Sequence, residues 1–168
     1  MVGGVDTWEL IARECIRDTI ARYTWGGDHL RLDEIAATFC PDGVLEVRGR
    51  PPVRGREAIK VMLGGVAVDD GSAPPATASI TTTRTGRPLV RHNVTNIRIG
   101  PLSPERAEVS SYFTVLTEIG LDHAGRYRDV LVRVGDEWLF EHRFVSTDWW
   151  SPESTMVGAD GHAVRGEA

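Results

Sequence analysis

The chain has few cysteines, no long apolar run and no basic clusters, and each absence removes a class of function. Its two cysteines, Cys15 and Cys40, have no Cys-x-x-Cys spacing, so neither a disulfide framework nor a thiolate metal site is read. No apolar stretch reaches the roughly 18 residues of a bilayer-spanning helix, and no basic segment followed by an apolar run opens the sequence, so no secretory signal is read. The 19 Lys and Arg residues are scattered among 24 Asp and Glu, giving a net charge of -5, which argues against a nucleic-acid footprint. There is no His-x-x-x-His and no internal repeat, and no carboxylate pair or cysteine set supports a metal. Gly3-Gly4, Gly26-Gly27 and Gly64-Gly65 lack phosphate-loop spacing and read as turn or cap glycines. The expectation is a cytoplasmic protein with no metal site.

What is present is ordinary globular material: 168 residues, 41% apolar and 26% charged, enough for one domain with a sizeable core. Asp6-Thr7-Trp8-Glu9 has the form of a capping box. The helix after it places Trp8, Ile11, Ala12, Cys15, Ile16, Thr19, Ile20 and Tyr23 on one face and is expected to stop at Gly26-Gly27. Leu32, Ile35, Ala36 and Phe39 mark a short second helix, and Gly43–Val47 a strand. A third helix opens at Gly55 with Ala58, Ile59, Met62 and Leu63 inward. From Asp69 to Pro88 the composition shifts to Gly, Ser, Pro, Ala and Thr, either a lid or a disordered excursion.

The second half is strand. Leu89–Ile99, Arg106–Ile119, Gly125–Val134 and Glu137–Asp148 alternate and are separated by Pro- and Gly-containing turns, predicting an antiparallel meander. Helices first and strands afterwards make an α+β fold, a curved sheet wrapped around about three N-terminal helices. Strict alternation puts His92, Val94 and Asn96 on one face, and Tyr127, Asp129 and Leu131 on one face of the next-to-last strand. In the last strand it groups Leu139, Glu141, Arg143, Val145 and Thr147 against Trp138, Phe140, His142, Phe144 and Ser146. Val130, Val132, Phe140 and Phe144 would then need a cover on the convex side, so a homo-oligomer is expected, the alternative cover being the C-terminal tail.

Taken in order, several segments carry a resemblance. They are the helix ending in Tyr23 with Asp28 beyond it, Leu32–Phe39, Gly55–Ile59, Arg91-His92 with Asn96, Gly125–Asp129, and Trp138 followed by Arg143. From about Asp6 to Trp150 the chain resembles SnoaL-like members of the nuclear transport factor 2-like superfamily. It is most similar to a lyase branch that includes scytalone dehydratase, bile-acid dehydratase and hexachlorocyclohexane dehydrochlorinase. That resemblance implies a cone-shaped sheet in a single domain over residues 1–150, while composition makes 69–88 a long mobile loop or lid and 151–168 a flexible tail. It implies elimination from a small hydrophobic cyclic substrate (steroid, terpenoid or polyketide-like) without metal or organic cofactor, in a trimer or dimer. An isomerase or polyketide cyclase uses the same parts. A non-catalytic scaffold resembling the β-subunit of ring-hydroxylating dioxygenases is the alternative of a different class.

By the resemblance, His92 and Asp28 form the catalytic dyad, Tyr23 assists it, and Arg143 receives an anionic group. Trp25, Asn96, Tyr127, Asp129 and Trp149 are the substrate-binding candidates. Plainer roles stand beside these: Asp28 as a cap of the second helix, Tyr23 as core, Arg143 as half of an ion pair with Asp129 or Glu141. His123, read in a turn, and His142, read on the convex face, receive no role, and the second histidine of scytalone dehydratase has no clear counterpart.

Overall fold

A computed structural model describes residues 6–67, 89–154 and 156–157; the expected lid at 69–88 lies outside them. Helix α1 (Thr7–Asp28) is followed by α2 (Leu32–Ala37), strands β1 (Phe39–Val47) and β2 (Val53–Arg54), and α3 (Arg56–Ala67). Four long strands complete the chain: β3 (Arg91–Leu102), β4 (Arg106–Thr117), β5 (Gly120–Val134) and β6 (Glu137–Trp150). They form one six-stranded sheet in the order β2-β1-β6-β5-β4-β3, antiparallel except where β1 runs parallel to β6. The α+β architecture and the meander are as the sequence predicts, with β1 and β2 added at one edge.

The core lies between the helices and the concave face. Ile16 and Ile20 of α1, Ile35 of α2 and Ile59 of α3 are buried against Phe39, Leu45, Val109, Leu131 and Phe140 of the sheet. Each such side chain contributes roughly 1.5–3 kcal/mol by leaving water. Ala58, expected inward, is exposed. α1 does not stop at its glycine pair: it runs on to Asp28, with His29 as C-cap. Gly26 is there for contact, since a Cβ at that position would meet Ile35 Cγ1 at 2.8 Å. The capping box is not formed either. The Asp6 side chain caps nothing, and the Glu9 carboxylate pairs with Arg13 one turn on at 2.6 Å.

Bulges interrupt the alternation of β3, β5 and β6. Asn96 and Ile97 together face Ser111, with Asn96 at φ 52°; Asp122 is extra on β5, and Glu141 and Asp148 are extra on β6. Each extra residue exchanges the faces of everything beyond it. The Glu141 bulge turns Phe140 inward, completely buried in the core, on the same side as Arg143. Phe140 therefore leaves the set expected to need a convex cover, which now comprises half-buried Val130, Val132 and Phe144. Phe140→Leu should destabilise by roughly 1–2 kcal/mol and Phe144→Leu by less than about 1 kcal/mol. Chemical denaturation of the two variants checks this; the opposite ranking would contradict the bulge.

The chain beyond β6 does not fray at once. The Ser151 amide donates to the Asp122 carbonyl at 2.7 Å, Ser154 Oγ to Asp122 Oδ1 at 2.7 Å, and Val157 is buried. Met156 packs on Phe113, Val115 and Tyr127. The first turn of the expected tail is thus tied to the sheet.

Candidate active site

Asp28 is the last residue of α1, and His92 stands on the concave face of β3, opposite buried Val115 of β4. The two meet. Asp28 Oδ1 accepts from His92 Nδ1 at 2.7 Å and from the His92 backbone amide at 3.0 Å. A carboxylate only accepts, so Nδ1 carries the proton and Nε2 is left with its lone pair. Nε2 meets no hydrogen-bonding partner among the described residues. The side chains are 20% exposed for His92 and 10% for Asp28, shielded but reachable. Asp28 does not cap α2, whose N-cap is Arg31, without a side-chain cap. An acid at the negative end of a helix dipole, with no basic residue in that last turn, is electrostatically unfavourable by about 0.3–1 kcal/mol. Its position serves His92, not the helix.

The base of the cone is filled. Arg143 is completely buried, and its Nε and Nη2 donate to the two oxygens of Asp129, each at 2.9 Å. Its guanidinium carbon lies 4.2 Å from the ring centroid of Tyr23, 4.1 Å from Tyr127 and 4.2 Å from Phe140. The plainer reading of Arg143, an ion pair with Asp129, is the one the fold makes. Burial raises the Asp129 carboxyl above its ordinary value against the pull of Arg143. At Arg143 burial acts downward, but the Asp129 charge prevails and the guanidinium is held above its ordinary value. Arg143 Nη1 and Ser111 Oγ remain as buried polar atoms without a partner among the described residues. Tyr23 packs edge-on to Phe39, Tyr127 and Phe140, and Tyr127 stacks on Phe113 with centroids 4.6 Å apart. Burial raises both phenols, more than Arg143 lowers them, so both keep their protons.

Of the substrate-binding candidates, Asn96 and Trp149 face away from the cone and Trp25 is exposed at the end of α1. Trp25 is 67% exposed, its ring stacked on His29. The bulge puts Asn96 in solvent and gives its inward place to Ile97. The Asp148 bulge pairs Trp149 with Ala124 on the outer face, and Trp150 takes the inward position opposite His123. Tyr127 and Asp129 do face inward, in the packed base.

Sequence reasoning missed His123. It lies in β5, not in a turn, on the same lateral row as His92 with Val115 between them. The bulge turns Asp122 inward beside it, and His123 Nδ1 bonds Asp122 Oδ1 at 2.7 Å, while Thr117 and Ser154 hold the same carboxylate. The upper cone thus holds two imidazoles, each with its own aspartate. His142 is on the convex face as read, 2.9 Å from Glu46.

Burial lowers the His123 imidazole below its ordinary 6.5, outweighing Asp122. A depressed folded-state value means that the unfolded chain binds the proton more readily. The associated stability is present above about pH 6.5 and is lost as pH falls below it. Wild-type melting temperature should therefore fall between pH 7.5 and 5.5 more steeply than that of His123→Gln. Parallel pH profiles by calorimetry check this; equal slopes would contradict it.

A family model described as a SnoaL-like domain matches residues 8–144. The chain belongs to the SnoaL-like domain family. Comparison with curated proteins gives no match. Among solved structures, a protein from Novosphingobium aromaticivorans provisionally named scytalone dehydratase is 22% identical. That alignment covers 96% of this chain and 97% of that one, with a TM-score of 0.70. LinA is 17% identical over 94% of this chain and 96% of its own, with a TM-score of 0.65. A Catenulispora acidiphila protein solved in complex with S-DNPA is 29% identical, covering 81% of this chain and 92% of that one, with a TM-score of 0.64. These likenesses bear out the fold. Among the described residues, no helix is long and apolar enough to cross a membrane, and no His, Cys, Asp and Glu cluster could hold a metal ion.

Proposed function

We propose that this protein is a cofactor-independent lyase that removes a carbon-bound proton from a small hydrophobic cyclic substrate. The observation that carries this reading is the 2.7 Å contact between Asp28 and His92 Nδ1, which leaves Nε2 basic. The apolar wall of Val94, Phe113 and Val115 beside it suits a greasy guest.

His92 Nε2 takes a proton from carbon α to a carbonyl, and the C–H electron pair moves into an enolate. Asp28 orients the ring and stabilises the imidazolium. The enolate collapses to an enone as the β-carbon releases its hydroxyl group, which leaves as water with the proton returned from His92. Tyr23 stays protonated, so its hydroxyl is a donor for oxygen, while Arg143, its charge matched by Asp129, holds the ring stack at the base. The same first step begins double-bond migration or aldol ring closure. S-DNPA bound to the Catenulispora relative supports a small organic guest here. The outer face, where Phe144 is half-buried and Tyr112 is 52% and Trp149 48% exposed, supports the reading that a second copy covers it.

Asp28→Asn is the test. It should lower turnover of cyclic β-hydroxyketones to enones, followed by ultraviolet absorbance, by on the order of 10²–10⁴. It should leave stability unchanged or raise it by a few tenths of a kcal/mol, because the helix loses an unfavourable charge. Unchanged turnover would remove the dyad from the mechanism.

A further inference from the structure

Away from the dyad, the start of α1 and the β5–β6 hairpin line a half-open cavity of about 350 Å³. We infer that it is a second binding site, for a flat aromatic carboxylate. Its walls include the indoles of Trp8 and Trp138, with Ile11 and Cys15 of α1 and the side chains of Arg133 and Asp136. The volume is near the lower end of the ~300–1,000 Å³ of small-molecule sites, enough for a fused two-ring ligand. Trp138 is buried, whereas Trp8 is 40% and Ile11 59% exposed, so one apolar wall is fixed and the opposite one is wet. A planar hydrocarbon between them dries that wall, and indoles favour offset or edge-on aromatic partners.

The charge comes from Arg133. Its Nε donates to the Gly135 carbonyl at 2.9 Å, and its Nη2 is 3.6 Å from Asp136, a separation too long for a hydrogen bond, to a carboxylate wholly in solvent. An exposed pair of this kind contributes little, and a ligand carboxylate seated on the apolar floor replaces it with a shielded, two-pronged contact. Thirteen residues of helix separate Cys15 from Asp28, about 20 Å along the axis, so one small ligand cannot occupy both sites.

Cys15 reports occupancy. It is half-buried in the cavity wall and Cys40 is buried, so a thiol reagent acting on the folded protein reads Cys15. With 2-naphthoate as probe, Cys15 modification should slow at least fivefold, saturably, with a parallel change in tryptophan emission that Trp8→Phe reduces. Neutral 2-naphthalenemethanol should protect at least fivefold less well. Arg133→Gln should abolish that preference while keeping the weak protection. His92→Gln should protect like wild type, which separates this site from the cone. Three results overturn the inference: no protection or emission change at the solubility limit of naphthoate, protection lost in His92→Gln, or protection that rises with protein concentration alone, which would make a second copy the occupant.

Discussion

His92→Gln is expected to lower kcat by about 10²–10⁴, the usual contribution of a positioned general base. Its stability should stay within about 1 kcal/mol of wild type, because the side chain is at the edge of the cone and not in its packed core. Glutamine keeps the size and a donor for Asp28 but has no basic lone pair to replace Nε2. Asp28 acts only through His92, so the His92→Gln, Asp28→Asn double variant should be no slower than His92→Gln alone. Groups that act as a unit lose their effect together. Additive losses would mean that Asp28 has a separate role. Steady-state kinetics with far-ultraviolet circular dichroism as the folding control settles the point.

Arg143→Met is the largest stability change expected. It removes one partner of a completely buried pair and leaves the Asp129 carboxyl buried without its counter-charge. Breaking such a pair costs about 3–5 kcal/mol, a large share of the roughly 5–15 kcal/mol that holds a domain together. The desolvation of both charges is the reason: their attraction offsets that penalty only while both are present. Replacing both with apolar residues, as Arg143→Met with Asp129→Leu, should recover most of the loss. Urea denaturation of the single and double variants measures it. A double variant as unstable as Arg143→Met would show that the stabilising element is the stack of rings and not the compensation of charge.

The sequence disclosed its elements better than its faces. Alternation in β4 holds from Arg106 to Thr117, and the helical stripes of α2 and of α1 from Ala12 onward point where their spacing says, while Trp8 and Ile11 stay exposed. In β3, β5 and β6 a period of two failed, because each bulge inserts one residue and reverses the assignment beyond it. That is why strict alternation puts Asn96 and Phe140 on the wrong side and hides the inward position of His123. Signals existed: the inserted residues are Asn96, Asp122, Glu141 and Asp148, polar types that sit poorly in a regular strand, and Asn tolerates the positive φ that Asn96 adopts. Gly26-Gly27 misled for another reason. A glycine that lets two helices touch is spelled the same as one that ends a helix, and nothing local distinguishes them. The meeting of Asp28 with His92, 64 residues apart, was not legible from periodicity at all and came from the family resemblance.

Proton abstraction from carbon is the step on which the proposed chemistry turns, and deuterium exchange observes it whatever follows. Cyclic ketones with hydrogens α to the carbonyl, such as 1-tetralone and a 3-ketosteroid, are incubated with the protein in D₂O and weighed by mass spectrometry. The dyad predicts deuterium in at least one of them at a rate about 100-fold or more above that of His92→Gln. No protein-dependent exchange in either ketone, or equal exchange in the variant, would contradict it.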